Sequence, residues 1–201
     1  MKKSKIAILT AGILFISVLA SAQLLNKRPA EEEEVDLKEQ VRQYKRDAML
    51  QLEPYRYDGA KITYFIYKPY EQLKEVEVFF FNTAEYKLAF NSNGIQGEHK
   101  LTLEIYDRPS TMRDRTLLYK KEGISPGEFS VTSKQLVDEF FKKNEGSLSE
   151  VEKANFRLKK AYINYLVPSV PKTFETDPKT GEKSVVTLKG AMVLAMGYSN
   201  I

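Results

Sequence analysis

Cysteine and tryptophan are absent from all 201 residues, and histidine occurs once, at His99. Without cysteine there are no disulfides, no thiol nucleophile, no haem attachment through paired cysteines and no cysteine zinc site. A single histidine removes nearly every histidine-based metal site as well, so no cofactor is expected. The chain also lacks a Gly-x-Ser-x-Gly elbow, a Ser-x-x-Lys pair and a His-Glu-x-x-His helix, the short signatures of common hydrolases. Tryptophan is the largest platform residue of sugar-binding sites, and its absence weighs against that class.

What is present is most telling at the start. Met1-Lys2-Lys3-Ser4-Lys5 is basic, Ile6–Leu19 is uncharged and apolar, and Ala20-Ser21-Ala22 places small residues at the −3 and −1 positions of a signal-peptidase site. This is the layout of a secretory signal peptide over 1–22, with the mature chain starting at Gln23. The competing reading is an uncleaved anchor, because Ile6–Leu25 is about 20 residues, long enough to span a bilayer. In both cases the rest of the chain is exported, since the positive cluster stays on the cytoplasmic side. A periplasmic location is expected. No cysteine follows the apolar run, so a lipoprotein anchor is excluded, and the membrane is a partner only through an uncleaved N-terminal segment.

The net charge of +4 reflects this export signal. Removing Lys2, Lys3 and Lys5 from 31 basic residues leaves 28 against 27 acidic ones. Nucleic acid is therefore not an expected partner, because its binding rests on a basic face that neutralises phosphates. A mature chain of this length buries most of its surface without disulfide support.

Residues 23–34 form an acidic leader whose four consecutive glutamates suit a solvated linker or the first turn of a helix. Leu37, Val41, Tyr44 and Ala48 then fall on one face of an amphipathic helix over 35–53, which Pro54 ends. From Gly59 the period changes to two. Lys61–Lys68 reads as a central strand, apolar on both faces. Val76, Val78 and Phe80 share one face of the next strand; Tyr86, Leu88 and Phe90 share another; Leu101, Leu103 and Ile105 a third. Thr116–Lys120 and Gly127–Thr132 read as two further short strands. Thr132 and Gln135 form a capping box for a helix over Lys134–Asn144. Residues 147–160 are ambiguous between helix and strand, with Glu150–Asn155 read as a second short helix or an extended loop. Ala161–Val167 alternates, 168–182 is an excursion punctuated by proline and glycine, and Ser184–Leu188 and Gly190–Tyr198 complete the chain, the last as an interior strand. The fold class is mainly β: an antiparallel β-sandwich over 55–201 with an N-terminal amphipathic helix and one inserted helix.

Four groups are candidate sites. Glu75 and Glu77 share a strand face, and Asp138 and Glu139 lie on neighbouring turns of a helix; a glycosidase needs two carboxyls across a cleft, but charged outward residues are ordinary on an antiparallel strand. His99 precedes an apolar strand beside Glu98 and Lys100. Tyr64, Tyr67 and Tyr70 beside Arg56 would form a ligand-binding strip if one strand face were open, able to stack on pyranose rings. A strand covered on both faces, with Tyr64 and Tyr67 in the core, is favoured. The loop Asp107–Arg115, with Arg108, Arg113 and Arg115, is a candidate recognition loop.

The segments EYKLAFN (85–91), LTLEIYDRPS (101–110), RTLLYKKEG (115–123), AYINYLVP (161–168) and GAMVLAMGY (190–198) occur in an order that resembles a group of uncharacterised exported proteins of Gram-negative bacteria. The resemblance implies an envelope setting and a β-rich domain, and no activity. The expectation is a non-enzymatic, structural or adaptor-like protein that binds another envelope protein. The alternatives are a carbohydrate-binding module with a Tyr-lined face and a hydrolase whose site one sequence does not reveal.

Overall fold

The computed structural model describes residues 29–81 and 84–200. The expected signal segment and its expected cleavage point before Gln23 lie outside them. The chain divides into two compact units, residues 1–38 and 39–201. The boundary falls within the first helix, α1 (Pro29–Leu50), which starts on a proline and takes in the four glutamates. Proline fits the first helical position because its missing N–H has no intrahelical partner there, and acids suit the positive end of the helix dipole. Leu37, Val41 and Ala48 are buried, as their spacing predicts. No helix among the described residues is long and apolar enough to cross a membrane.

Ten strands follow: β1 (Arg56–Ile66), β2 (Gln72–Phe79), β3 (Ala84–Asn91), β4 (Leu101–Tyr106), β5 (Leu117–Ile124), β6 (Glu128–Thr132), β7 (Lys160–Val167), β8 (Thr173–Thr176), β9 (Lys183–Val186) and β10 (Lys189–Asn200). Two helices, α2 (Ser133–Lys143) and α3 (Glu150–Asn155), lie between β6 and β7. The strands form two four-stranded antiparallel sheets, ordered β1-β10-β3-β6 and β2-β7-β4-β5, and a separate ribbon β8-β9.

The alternating residues do what their period requires. Val78, Phe80, Tyr86, Leu88, Phe90, Leu101, Leu103 and Ile105 all fall in one buried cluster with Ile163, Tyr165, Met192 and Leu194, which fills the space between the sheets. The expected core residues are thus buried, with one refinement. Val193 is buried too, but it pairs with Ile62 and Asn91 and stands outside that cluster, on the outer face of its sheet.

That outer face is built of small residues. Ala89, Ala191 and Ala195 are buried there beside Val193, and Gly197 continues the row. The chain after α1 reaches this face. A Cβ on Gly197 would come within 3.2 Å of Leu52 Cδ1 and 2.9 Å of the Arg56 carbonyl, so glycine alone admits this approach. Tyr55 holds the same corner by donating a hydrogen bond to Glu85 at 2.9 Å. The final strand is interior, as read from its apolar faces, because β10 lies between β1 and β3.

Both inserted helices start on capping boxes. Thr132 Oγ1 accepts from Gln135 N, and the Gln135 side chain accepts from Thr132 N at 2.8 Å. Ser149 and Glu152 repeat the arrangement for α3. The 168–182 excursion is half of the β8-β9 ribbon, whose partner half is the predicted Ser184–Leu188 strand.

The strand at 61–68 differs from its reading. It starts five residues earlier, at Arg56, and pairs only with β10, so it is an edge strand and not a central one. Phe65 and Tyr67 are buried, while Ile62, Tyr64 and Ile66 on the other face are exposed by 39, 47 and 44%. An apolar composition on both faces did not mean cover on both faces.

Candidate functional site

β1 and β2 are consecutive, joined by residues 67–71, and each is the end strand of its own sheet. The two free edges therefore share one lateral side of the sandwich. Alternate backbone N–H and C=O groups of an end strand face away from its single partner and can pair with a further strand. β1 keeps unbroken register with β10 from Gly59 to Ile66, and β2 with β7 over all eight of its residues. These are regular edges, suited to receiving another strand.

The side is also apolar. Of thirteen exposed large hydrophobic side chains among the described residues, eight lie between 57 and 81: Tyr57, Ile62, Tyr64, Ile66, Tyr70, Leu73, Phe79 and Phe81. Scattered exposed apolar residues are ordinary, but a cluster marks an interaction surface. Here Ile62, Tyr64 and Ile66 stand on the outer face of the first sheet and Leu73 and Phe79 on that of the second, flanking the two edges. Next to the end of β1 lies a cleft of about 160 Å³, lined among others by Ile66, Pro69, Val170, Pro171 and Leu188. Phe174 and Val185, cross-strand partners on the ribbon, are exposed beside each other.

Neither reading of the tyrosines matches their placement: the favoured core position holds for Tyr67 but not for Tyr64, and the alternative strip is divided between two faces. Tyr64 faces outward and Tyr67 inward, where Tyr67 packs edge-on to Phe65 with ring centroids 5.3 Å apart and lies 4.9 Å from the His99 ring. The Tyr67 hydroxyl is buried without a hydrogen-bond partner among the described residues. Burial pushes its pKa up to about 12. Tyr70 is exposed in the turn, with Lys68 Nζ 5.4 Å from its ring centre. Arg56 lies eight residues before Tyr64 on the same extended strand, about 26 Å away at the usual rise, so it is not beside the tyrosines.

The three arginines of the 107–115 loop are also divided among separate tasks. Arg108 is neutralised by Asp114 and by Asp107, the latter at 3.7 Å. Arg115 stacks over Tyr106, 3.8 Å from its ring centre, and its Nη1 donates to the side-chain carbonyl of Asn164 at 2.9 Å. Arg113 is exposed at the tip beside Met112. Asn164 is a buried polar residue of β7, and its amide donates to Glu75 Oε2 at 2.9 Å. The same Glu75 oxygen accepts from Ser110 N at 2.7 Å. Glu75, Asn164, Glu104 and Lys120 thus form a row across the outer face of the second sheet that holds the loop down.

The paired carboxylates have structural partners. Glu77 accepts from Lys160 at 2.8 Å and from Tyr162 at 3.0 Å, and these bonds hold its carboxyl below the usual range. A general acid needs the opposite direction. Asp138 pairs with Lys134 at 2.7 Å, and Glu139 lies 3.5 Å from Lys143, as on a solvated helix face. Among the described residues no cluster of histidine and carboxylates could hold a metal ion.

The fold defines an antiparallel β-sandwich with one open side. No family model, curated protein or solved structure matches this chain.

Sequence reasoning missed the edge status of β1, and a signal for it was there. Lys61 stands on the inward face with Thr63 and Phe65, opposite Leu194 of β10. An inward-pointing charge is a mark of an end strand, because a central strand has nowhere to solvate it.

Proposed function

We propose that this chain is an exported, non-enzymatic envelope protein that binds another envelope protein through the β1–β2 side of its sandwich. The observation that carries this reading is the gathering of exposed large hydrophobics along two adjacent free strand edges, four on β1 and two on β2, with Tyr70 in the turn between them and Phe81 just beyond β2. Strand addition to such an edge draws affinity from main-chain hydrogen bonds and specificity from alternate side chains. The division of labour among the polar residues supports a binding role over a chemical one. Glu75, Glu77, Arg108 and Arg115 are each engaged in holding the fold. The separation of Tyr64 from Tyr67 and Arg56 leaves no flat aromatic strip for a sugar ring.

The test is site-specific photo-crosslinking in the native host. A photoreactive residue at Tyr64 or Ile66 should yield a defined adduct with an envelope protein. The same residue at Lys142, on α2, should yield none. Adducts of equal yield at both sites, or none at Tyr64, would overturn the reading. Fractionation of the same cells tests export: the chain should leave the cytoplasm, either freed of Met1–Ala22 or held by it.

A further inference from the structure

We infer that the segment received at this side is extended, adds antiparallel or parallel to β1, and carries acidic side chains at the alternate positions that point inward. The inference rests on the partner-binding reading above. Its basis is a pair of lysines on the inner faces of the two edges. Lys61 of β1 is opposite Leu194, and Lys74 of β2 is opposite Tyr165, both partners belonging to the buried core between the sheets. Neither lysine forms an ion pair among the described residues. Lys61 feels the charge of Glu77 at a distance, but that carboxylate is bonded to Lys160 and Tyr162. Two cations thus stand at the mouth of the gap between the sheets.

A strand added to β1 would alternate its side chains in and out. Its inward side chains would enter the mouth and meet Lys61 and Lys74. Its outward side chains would extend the apolar row of Ala60, Ile62, Tyr64 and Ile66, which face outward with Ala195, Val193, Ala191 and Lys189. Opposite charges across strands attract and like charges repel. The chemistry therefore selects a segment alternating acidic with apolar residues. β2 is the poorer acceptor, because its outward row carries Glu75 and Glu77. A second copy of this chain also fits poorly: an edge bearing the same two lysines would be set against them. This is the usual service of an inward lysine on a free edge, keeping copies apart.

The test uses two labelled peptides of about ten residues, long enough to run the length of β1. One alternates Glu with Val and the other Lys with Val, each titrated against the exported protein by fluorescence anisotropy. The Glu peptide should bind saturably and roughly fivefold more tightly than the Lys peptide, the size expected of two cross-strand ion pairs. The gap should narrow at about 0.5 M salt, where charges are screened over ~4 Å. In the double variant Lys61→Glu, Lys74→Glu the preference should invert, with the circular dichroism spectrum unchanged.

Equal affinity for the two peptides, a preference the double variant leaves intact, or no saturable binding up to about 1 mM (a free energy near −4 kcal/mol) would overturn the inference. So would a dimer in sedimentation that Ile62→Ser dissolves. The two readings fail separately. If photo-crosslinks from Tyr64 persist in full in the charge-reversed variant, the acidic-segment inference falls and partner binding stands. If wild-type Tyr64 gives no adduct, partner binding itself falls.

Discussion

The two lateral sides of the sandwich are closed and open by different means. On one side the end strands are β6 and β5, and α2 lies on both of them and on β3. Ser133, at the start of α2, accepts from Tyr86 N at 2.9 Å, and Lys143, at its end, donates to the Leu117 carbonyl of β5 at 2.6 Å. Phe140 extends the cover by stacking on Phe156 with centroids 4.1 Å apart. The register of β5 with β4 also breaks twice, which twists that edge. On the other side, β2 keeps its register throughout and β1 from Gly59 to Ile66, after a single shift at Tyr57, and the two carry exposed apolar residues. There the device is charge, at Lys61 and Lys74. Cover abolishes an edge for every partner. A charge screens out some partners and admits others, so the β1–β2 side keeps a selectivity that the α2 side gives up.

The sharpest way to break this contrast is to remove the cover. Leu136 is fully buried on α2 and belongs to the central core cluster. Leu136→Ala should lower stability by about 2–5 kcal/mol through lost contacts and a residual cavity. Denaturant unfolding checks it. A loss below about 0.5 kcal/mol, the range of an ordinary surface change, would mean that α2 rests on the closed side without securing it.

A smaller effect should follow at the helix start. Thr132→Ala removes the acceptor of the α2 capping box and should cost about 1 kcal/mol. Thr132→Ser, which keeps the oxygen, should restore most of it. If serine is no better than alanine, the effect comes from β6 packing and not from the cap.

How far these sides could be read in advance depended on what alternation can report. Alternation encodes which way a side chain points, and it placed Val78, Leu88, Phe90, Leu103 and Ile105 correctly because each is flanked on at least one side by a charged, polar or small outward residue. It encodes nothing of sheet order. Ile62, Tyr64 and Ile66 look like core residues in the sequence, and only the pairing of β1 with β10 alone reveals that one face is open. The capping box at Thr132 was legible because it is local, two residues three apart. The anchoring of Arg115 by Asn164 and Tyr106, and of the 107–115 loop by Glu75, was not. Those partners are 49, 9 and 35 residues away in sequence, and only the sheet brings them together. The candidate site was legible in composition, as a run of aromatics from 55 to 70, but not in geometry.

Tyr67, just past the end of β1, offers a finer comparison within the open side. Its hydroxyl is buried without a partner, so Tyr67→Phe should be neutral or stabilising by about 1 kcal/mol. The alkaline limb tests the same group. The phenol titrates at about 12 in the fold against an ordinary 10.0. Because the folded pKa is the higher, the stability from keeping the phenol neutral is fully present below pH 10 and is lost as pH rises through about 12. Tyr67→Phe should weaken the fall in stability across that window. It should not abolish it, because burial raises Tyr165 as well. An unchanged alkaline limb would place the Tyr67 hydroxyl in contact with water.

The smallest expected effect is the one that defines the open side. Ile62→Ser and Tyr64→Ser each replace a partly exposed outward side chain on β1, and neither touches the core cluster. Each should change stability by no more than about 0.5 kcal/mol, while Leu136→Ala on the opposite side costs several times that. The same two variants should abolish the photo-crosslink from Ile66, since its neighbours on the outward row would no longer offer an apolar strip to an added strand. Stability and binding would then be carried by different sides of one sandwich. A large stability loss in either serine variant would mean that the side is already covered in the free protein. The contrast between covered and open edges would then collapse, whatever the crosslinking shows.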